Sequence, residues 1–109
     1  MTKHCLGWDD VAPAVDPAGT ERRRLEGQGG SLVRIAVPAG TMAPRHSHPH
    51  EQFVQVIAGT GVLETEQGRR RFEPGSLFHF PAATWHSTEF ETATILVETN
   101  LPLVGPTEP

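Results

Sequence analysis

The sequence predicts an all-β domain, and three features carry that prediction: dense glycine and proline, apolar runs no longer than a strand, and turn-forming residues between the runs. The 109 residues include 11 glycines and 10 prolines, punctuation that interrupts long amphipathic helices and suits short strands joined by tight turns. Segments of strand length recur at residues 31–37, 53–57, 62–65, 69–72, 76–80 and 93–99. Between them lie 38–40, 59–61, 67–68, 73–75 and 81–84, rich in Gly, Pro and other turn formers,. Six or more closely spaced strands define a sandwich or a small barrel.

Taken in order, residues 2–30 are broken by Pro13, Pro17, Gly19, Gly27, Gly29 and Gly30. They read as an N-terminal arm (1–30) with a short strand near 23–25. The barrel follows over 31–101. In its first strand Val33, Ile35 and Val37 share one face while Leu32, Arg34 and Ala36 share the other, the alternation of a strand with one inward face,. Residues 102–109 read as a tail. The length is that of one domain with one core.

Composition excludes several function classes. The formal net charge of -4 gives no electrostatic reason to bind nucleic acid or an anionic membrane surface,. The two arginine runs, Arg22 to Arg24 and Arg69 to Arg71, sit among glutamates and read as solvated strand or turn,. Cys5 is the single cysteine, so no intrachain disulfide and no thiolate cluster can form,; in the arm, with no adjacent base, it reads as incidental. No stretch of about 18 apolar residues and no signal-peptide-like run in 1–15 is present, so cytoplasmic residence is expected.

The histidines between Gly40 and Gly61 are the informative feature. His46 and His48 are two apart; on a strand that spacing places both imidazoles on one face, about 7 Å apart along the chain. Gln52, four residues after His48 and beyond Pro49, resumes the same parity, so its amide oxygen can join as a neutral ligand,. His86 arrives from a distant strand whose inward face looks across a rolled sheet at the first three. Three imidazoles and one oxygen suit one divalent transition metal, with Mn, Fe, Co, Ni, Cu and Zn all accepted.

Both segments resemble the paired motifs of the cupin superfamily. The first family motif is Gly, five residues, His-x-His, three or four residues, Glu, six residues, Gly; Gly40, His46, His48, Gln52 and Gly59 match it, with Gln52 in place of Glu. The second is Gly, five residues, Pro-x-Gly, two residues, His, three residues, Asn; Gly75, Pro81 and His86 match, while Ala83 replaces Gly and Phe90 replaces Asn. The resemblance implies a single-domain jelly-roll (double-stranded β-helix) barrel with metal on His46, His48, Gln52 and His86. Gln52 in place of Glu removes a charge, which weakens metal binding and leaves the ion a stronger Lewis acid. Ala83 demands a turn without positive φ, or slight strain.

The tract HSHPHEQ and the Trp8-bearing arm are most similar to small bacterial KdgF-type cupins. That group opens the ring of unsaturated uronates released from pectin or alginate, with an acidic residue on the last strand near a proline. Glu98, four residues before Pro102, stands at that position, and the resemblance implies that it is the catalytic proton carrier. The group's tail carries an Arg soon after that proline; here Val104, Gly105 and Pro106 follow. An iron- or copper-dependent dioxygenase and a non-catalytic metal or small-ligand binding module are the alternatives. The absence of tyrosine leaves Glu98 and His79 as proton carriers.

The remaining aromatic and ionisable residues have simpler expectations. His50 is read as supporting the ligands or exposed, His79 as a satisfied residue of the barrel wall, and Glu51 as solvent-facing. Trp85, Phe53, Phe78, Phe80 and Phe90 are expected in the interior or at a subunit contact. Trp8, hard to bury on one small barrel, argues for a homodimer. The expected partner is a small-molecule ligand or substrate.

Overall fold

Along Ser31–Val37 every odd-numbered residue is buried and every even-numbered one half-buried, and the same period of two organises the rest of the chain. The computed structural model describes residues 4–102, which form ten strands, all paired antiparallel: β1 (Pro13–Val15), β2 (Glu21–Glu26), β3 (Ser31–Val37), β4 (Met42–His46), β5 (Glu51–Ala58), β6 (Gly61–Thr65), β7 (Gly68–Phe72), β8 (Leu77–Phe80), β9 (His86–Phe90) and β10 (Thr94–Leu101). A single 3-10 turn at Trp8–Asp10 is the only helical element among the described residues. None of their helices is long and apolar enough to cross a membrane.

The strands form two sheets, one ordered β1-β2-β3-β10-β5-β8 and the other β4-β9-β6-β7, packed face to face as a jelly roll. Apolar inward positions from both sheets make one core: Val33, Ile35, Val37, Val54, Val56, Phe72, Phe78, Phe80, Phe90 and Leu96. Phe72 meets Phe78 and Phe90 edge-on, at ring separations of 5.4 and 6.0 Å, the arrangement that aromatic quadrupoles favour. Phe90, standing where the family motif has Asn, is therefore a core residue.

The stretch read as an arm is continuous with the larger sheet. β2 pairs with β3 along its whole length and β1 pairs with β2. Arg23 points outward and its guanidinium donates to the carbonyls of Trp8 (3.0 Å) and Val11 (2.9 Å), tying down the 3-10 turn. Of the tail, only Pro102 falls within the described residues; 103–109 lie outside them.

Three strands escaped the sequence pattern: β1, within the stretch read as an arm, β4 and β9. β4 contains Pro44, which an interior strand would reject, but β4 is the edge of its sheet and its register with β9 shifts between Ala43 and His46, where proline is tolerated. β9 alternates His86, Thr88 and Phe90 inward, a mixed face that shows no apolar run. β4 and β9 position two of the three clustered histidines, His46 and His86.

Candidate metal centre and its cavity

β4 belongs to one sheet and β5 to the other, so the chain must cross between sheets over residues 47–50. That crossing brings the histidines together. His46 ends β4, and His48 lies beyond it in the crossing segment. The expectation that both rings project from one strand is therefore corrected: they converge from a strand end and a bend, because Pro49 and the change of sheet stop the strand at His46. Their ring centroids are 4.9 Å apart.

His86 enters from β9, directly opposite His46 in the β4–β9 register, with ring centroids 4.3 Å from His46 and 5.5 Å from His48. Phe80 of β8 stacks flat on the His86 ring at 3.9 Å, fixing its plane from the other sheet. One ring nitrogen from each of His46, His48 and His86 lies within 4.8 Å of the others.

The second nitrogens support ligation. His46 Nδ1 donates to the Pro44 carbonyl at 2.7 Å, and His86 Nδ1 faces the Thr84 carbonyl at 3.4 Å. A carbonyl partner on Nδ1 selects the tautomer with a bare Nε2, the form that binds a metal. Burial, helped by the neighbouring His46 and His50, pushes His48 down to about 4. Burial and His46 do the same for His86, against the Thr84 carbonyl. Both rings are thus neutral near pH 7, as ligands must be. His48 Nδ1 is buried with no hydrogen-bond partner. Neutral, convergent and partly unsatisfied imidazoles fit a first-row divalent ion.

Gln52 projects inward from β5, 2% exposed, between Phe80 of β8 and Asn100 of β10. It lines the same cavity as the three histidines, a space of about 450 Å³ that Glu98 also lines. Its amide Nε2 donates to Glu98 Oε1 at 3.3 Å, which turns the amide oxygen away from Glu98. On β10, Thr94, Leu96 and Glu98 share the inward face. Burial raises Glu98 to about 7 against the opposing pull of Arg22 and Arg24. A carboxyl poised there can both accept and release a proton at neutral pH.

Other expectations change. His79 points outward from β8, stacks on the exposed Phe53 at 4.7 Å and bonds Glu51 Oε2 at 2.6 Å; it is a satisfied wall residue, as expected, but it does not line the cavity, and Glu51 is paired with it. His50 is buried, not exposed; both its ring nitrogens lack partners and its ring lies 4.9 Å from His48. Trp85 is half-buried and covered by the Arg45 guanidinium at 3.7 Å. Ala83 adopts φ 66 and its N–H donates to the His48 carbonyl at 2.7 Å, so the strain is real and it anchors the crossing segment.

Arg22 was read as a solvated residue, yet it lines the cavity. It pairs in register with Ile35, and directly opposed residues point to the same side of a sheet. Parity alone puts Arg22 and Arg24 on one face and Arg23 on the other. Which face is inward depends on pairing with β3, which sequence does not display.

Fold and site define the class: a small jelly-roll barrel with three convergent imidazoles lining an internal cavity. The chain belongs to the cupin family, whose cupin-domain model matches residues 33–99. Among solved structures it is similar to an RmlC-like cupin from Shewanella frigidimarina (22% identity over 93% of this chain and 92% of the other, TM-score 0.84). It is also similar to KdgF from Halomonas sp. (23%, 86% and 90%, TM-score 0.77) and to ectoine synthase from P. lautus (22%, 95% and 79%, TM-score 0.79). At these identities the likeness is one of fold. No curated protein matches the sequence.

Proposed function

We propose that this cupin is a metal-dependent, KdgF-like enzyme that opens the ring of an unsaturated uronate or a related small sugar acid. The observation that carries the reading is the hydrogen bond from Gln52 to the half-buried Glu98, inside the cavity that the three histidines line. It joins the metal end of the cavity to a carboxyl tuned for proton transfer.

His46, His48 and His86 would hold one divalent ion, with the Gln52 amide oxygen as fourth ligand. When bound, the ion supplies Lewis-acid polarisation of a sugar oxygen. Glu98, as carboxylate, accepts the proton of the anomeric hydroxyl. The bond from the anomeric carbon to the ring oxygen then breaks, the carbonyl forms, and the ring oxygen leaves as an enolate. Protonated Glu98 returns the proton, and the enol becomes a ketone with that proton on carbon. The net change is isomerisation, with nothing oxidised. Gln52 holds the carboxyl in place throughout, and the phenylalanine-lined walls exclude water.

Two further parts of the proposal have separate support. A homodimer is supported by the exposed Phe53 (42%), Ile57 (53%) and Leu77 (77%) on the outer face of the six-stranded sheet, apolar area that a second copy would cover. Light scattering at micromolar concentration should give twice the monomer mass. Cytoplasmic residence is supported by a sequence with a single cysteine, exposed and unpaired,.

The test is to incubate protein loaded with zinc or nickel with unsaturated galacturonate under nitrogen and follow loss of the ultraviolet absorbance of the ring double bond. Wild type should accelerate the loss, and Glu98→Gln should retain its metal while losing about a hundredfold or more in rate. No acceleration with any metal sinks the proposal. Oxygen uptake confined to iron- or copper-loaded protein would instead assign a dioxygenase.

A further inference from the structure

The inward rows of the larger sheet order the cavity's functional groups. Gln52 pairs with Asn100, Glu98 with Val33 and Val54, and Leu96 with Ile35, which pairs with Arg22. Successive inward rows are about 7 Å apart along the strands. The sequence along the cavity is therefore metal-binding end, then Glu98, then Arg22.

Arg22 is not consumed by the protein. Its Nη1 donates to Asp16 Oδ2 at 3.2 Å, and its side chain remains 45% exposed. Asp16 is itself fixed by the backbone N–H groups of Ala18 (2.9 Å) and Thr20 (3.0 Å) in the β1–β2 turn, and the Thr20 amide above all, with Arg22 assisting, holds its carboxyl below the usual range. One edge of the guanidinium is thus oriented by a permanently charged carboxylate, and the other donors remain for a ligand. The charged side chains lining the cavity besides its histidines are Asp16, Arg22 and Glu98. With a divalent ion on the histidines the interior is net positive whether or not Glu98 is ionised, which favours an anion.

We propose that Arg22 is the specificity residue of the cavity, binding the carboxylate of a small hydroxy-acid ligand whose other end faces the histidines, with Glu98 between the two. The assignment rests on the reading of the cavity as a metal-dependent sugar-acid site and supplies it with a carboxylate reader from β2. A planar guanidinium presents paired donors that match a carboxylate's two oxygens, whereas a neutral sugar offers it no such partner.

Calorimetry on zinc-loaded full-length protein, comparing D-galacturonate with D-galactose, tests this. Wild type should prefer the acid, and Arg22→Gln should lose about tenfold to a hundredfold of acid affinity with galactose binding and zinc content unchanged. Arg22→Lys, which keeps charge but not the fork, should fall between, and it guards against a folding defect in the first variant. Equal acid affinity in wild type and Arg22→Gln, or no acid preference in wild type, overturns the assignment. The failures are separable. Acid preference lost with Arg22 but no turnover of the unsaturated substrate sinks the enzymatic reading alone, whereas turnover with an unchanged KM in Arg22→Gln sinks the Arg22 assignment alone.

Discussion

Replacing Glu98 by Gln in metal-stripped protein should raise stability, by an amount that grows with pH. Burial lifts Glu98 from 4.5 to about 7, so the native state holds that proton more tightly than the unfolded chain. At roughly 1.4 kcal/mol per pH unit, keeping the carboxyl ionised in the fold costs about 3 kcal/mol at pH 8 and nothing near pH 4. Gln is neutral at every pH and preserves the shape and a hydrogen bond with Gln52. His48 and His86 act in the opposite sense: both fall from 6.5 to about 4, so they contribute stability above 6.5 that is lost as pH falls toward 4. Between about 4.5 and 6.5 the two histidines outweigh Glu98, and wild-type stability should rise with pH. Above 6.5 Glu98 is the one of these three groups whose shift still acts, and stability should turn down until about pH 7. The variant should show a steeper rise and no downturn. Urea unfolding with a chelator at pH 4, 6.5 and 8 reads the rise, the maximum and the downturn. Equal stability of the two proteins at pH 8, or a gap that does not change with pH, would refute the reasoning.

Other perturbations address the metal centre and its support. His86→Ala removes the ligand that β9 sets beside His46 and should weaken zinc binding roughly a hundredfold or more by competition with a chromogenic chelator. Gln52→Glu adds a negative charge at the ion and should tighten zinc binding by at least about tenfold. The same change sets two carboxyls against each other and removes the N–H that Glu98 accepts, so turnover should fall; the competition and turnover assays separate the two effects. Ala83→Gly relieves the left-handed strain at φ 66 and should stabilise the protein by about 1 kcal/mol, seen as a modest rise in Tm with metal affinity unchanged.

Sequence alone determined the fold class and picked out the three histidines that the structure brings together. Strand period and turn chemistry are local properties, written into segments such as 31–37, and the spacing of His46, His48 and Gln52 survives even though the chain between them bends. What it did not display depends on partners distant in the chain. The proline in β4 hid a strand because only its place at a sheet edge makes proline acceptable there. Sequence leaves His79 between barrel wall and proton carrier, with the wall preferred; the β5–β8 register, which puts it opposite Phe53 on the outer face, makes it a wall residue. Arg22 looked like one of three equivalent solvated arginines until pairing with β3 turned it inward. Tertiary structure also decided that Glu98 meets Gln52 in the wall of the cavity. A side chain's face follows from its own strand's alternation, but which face is interior, and what waits there, is set by the strand across from it.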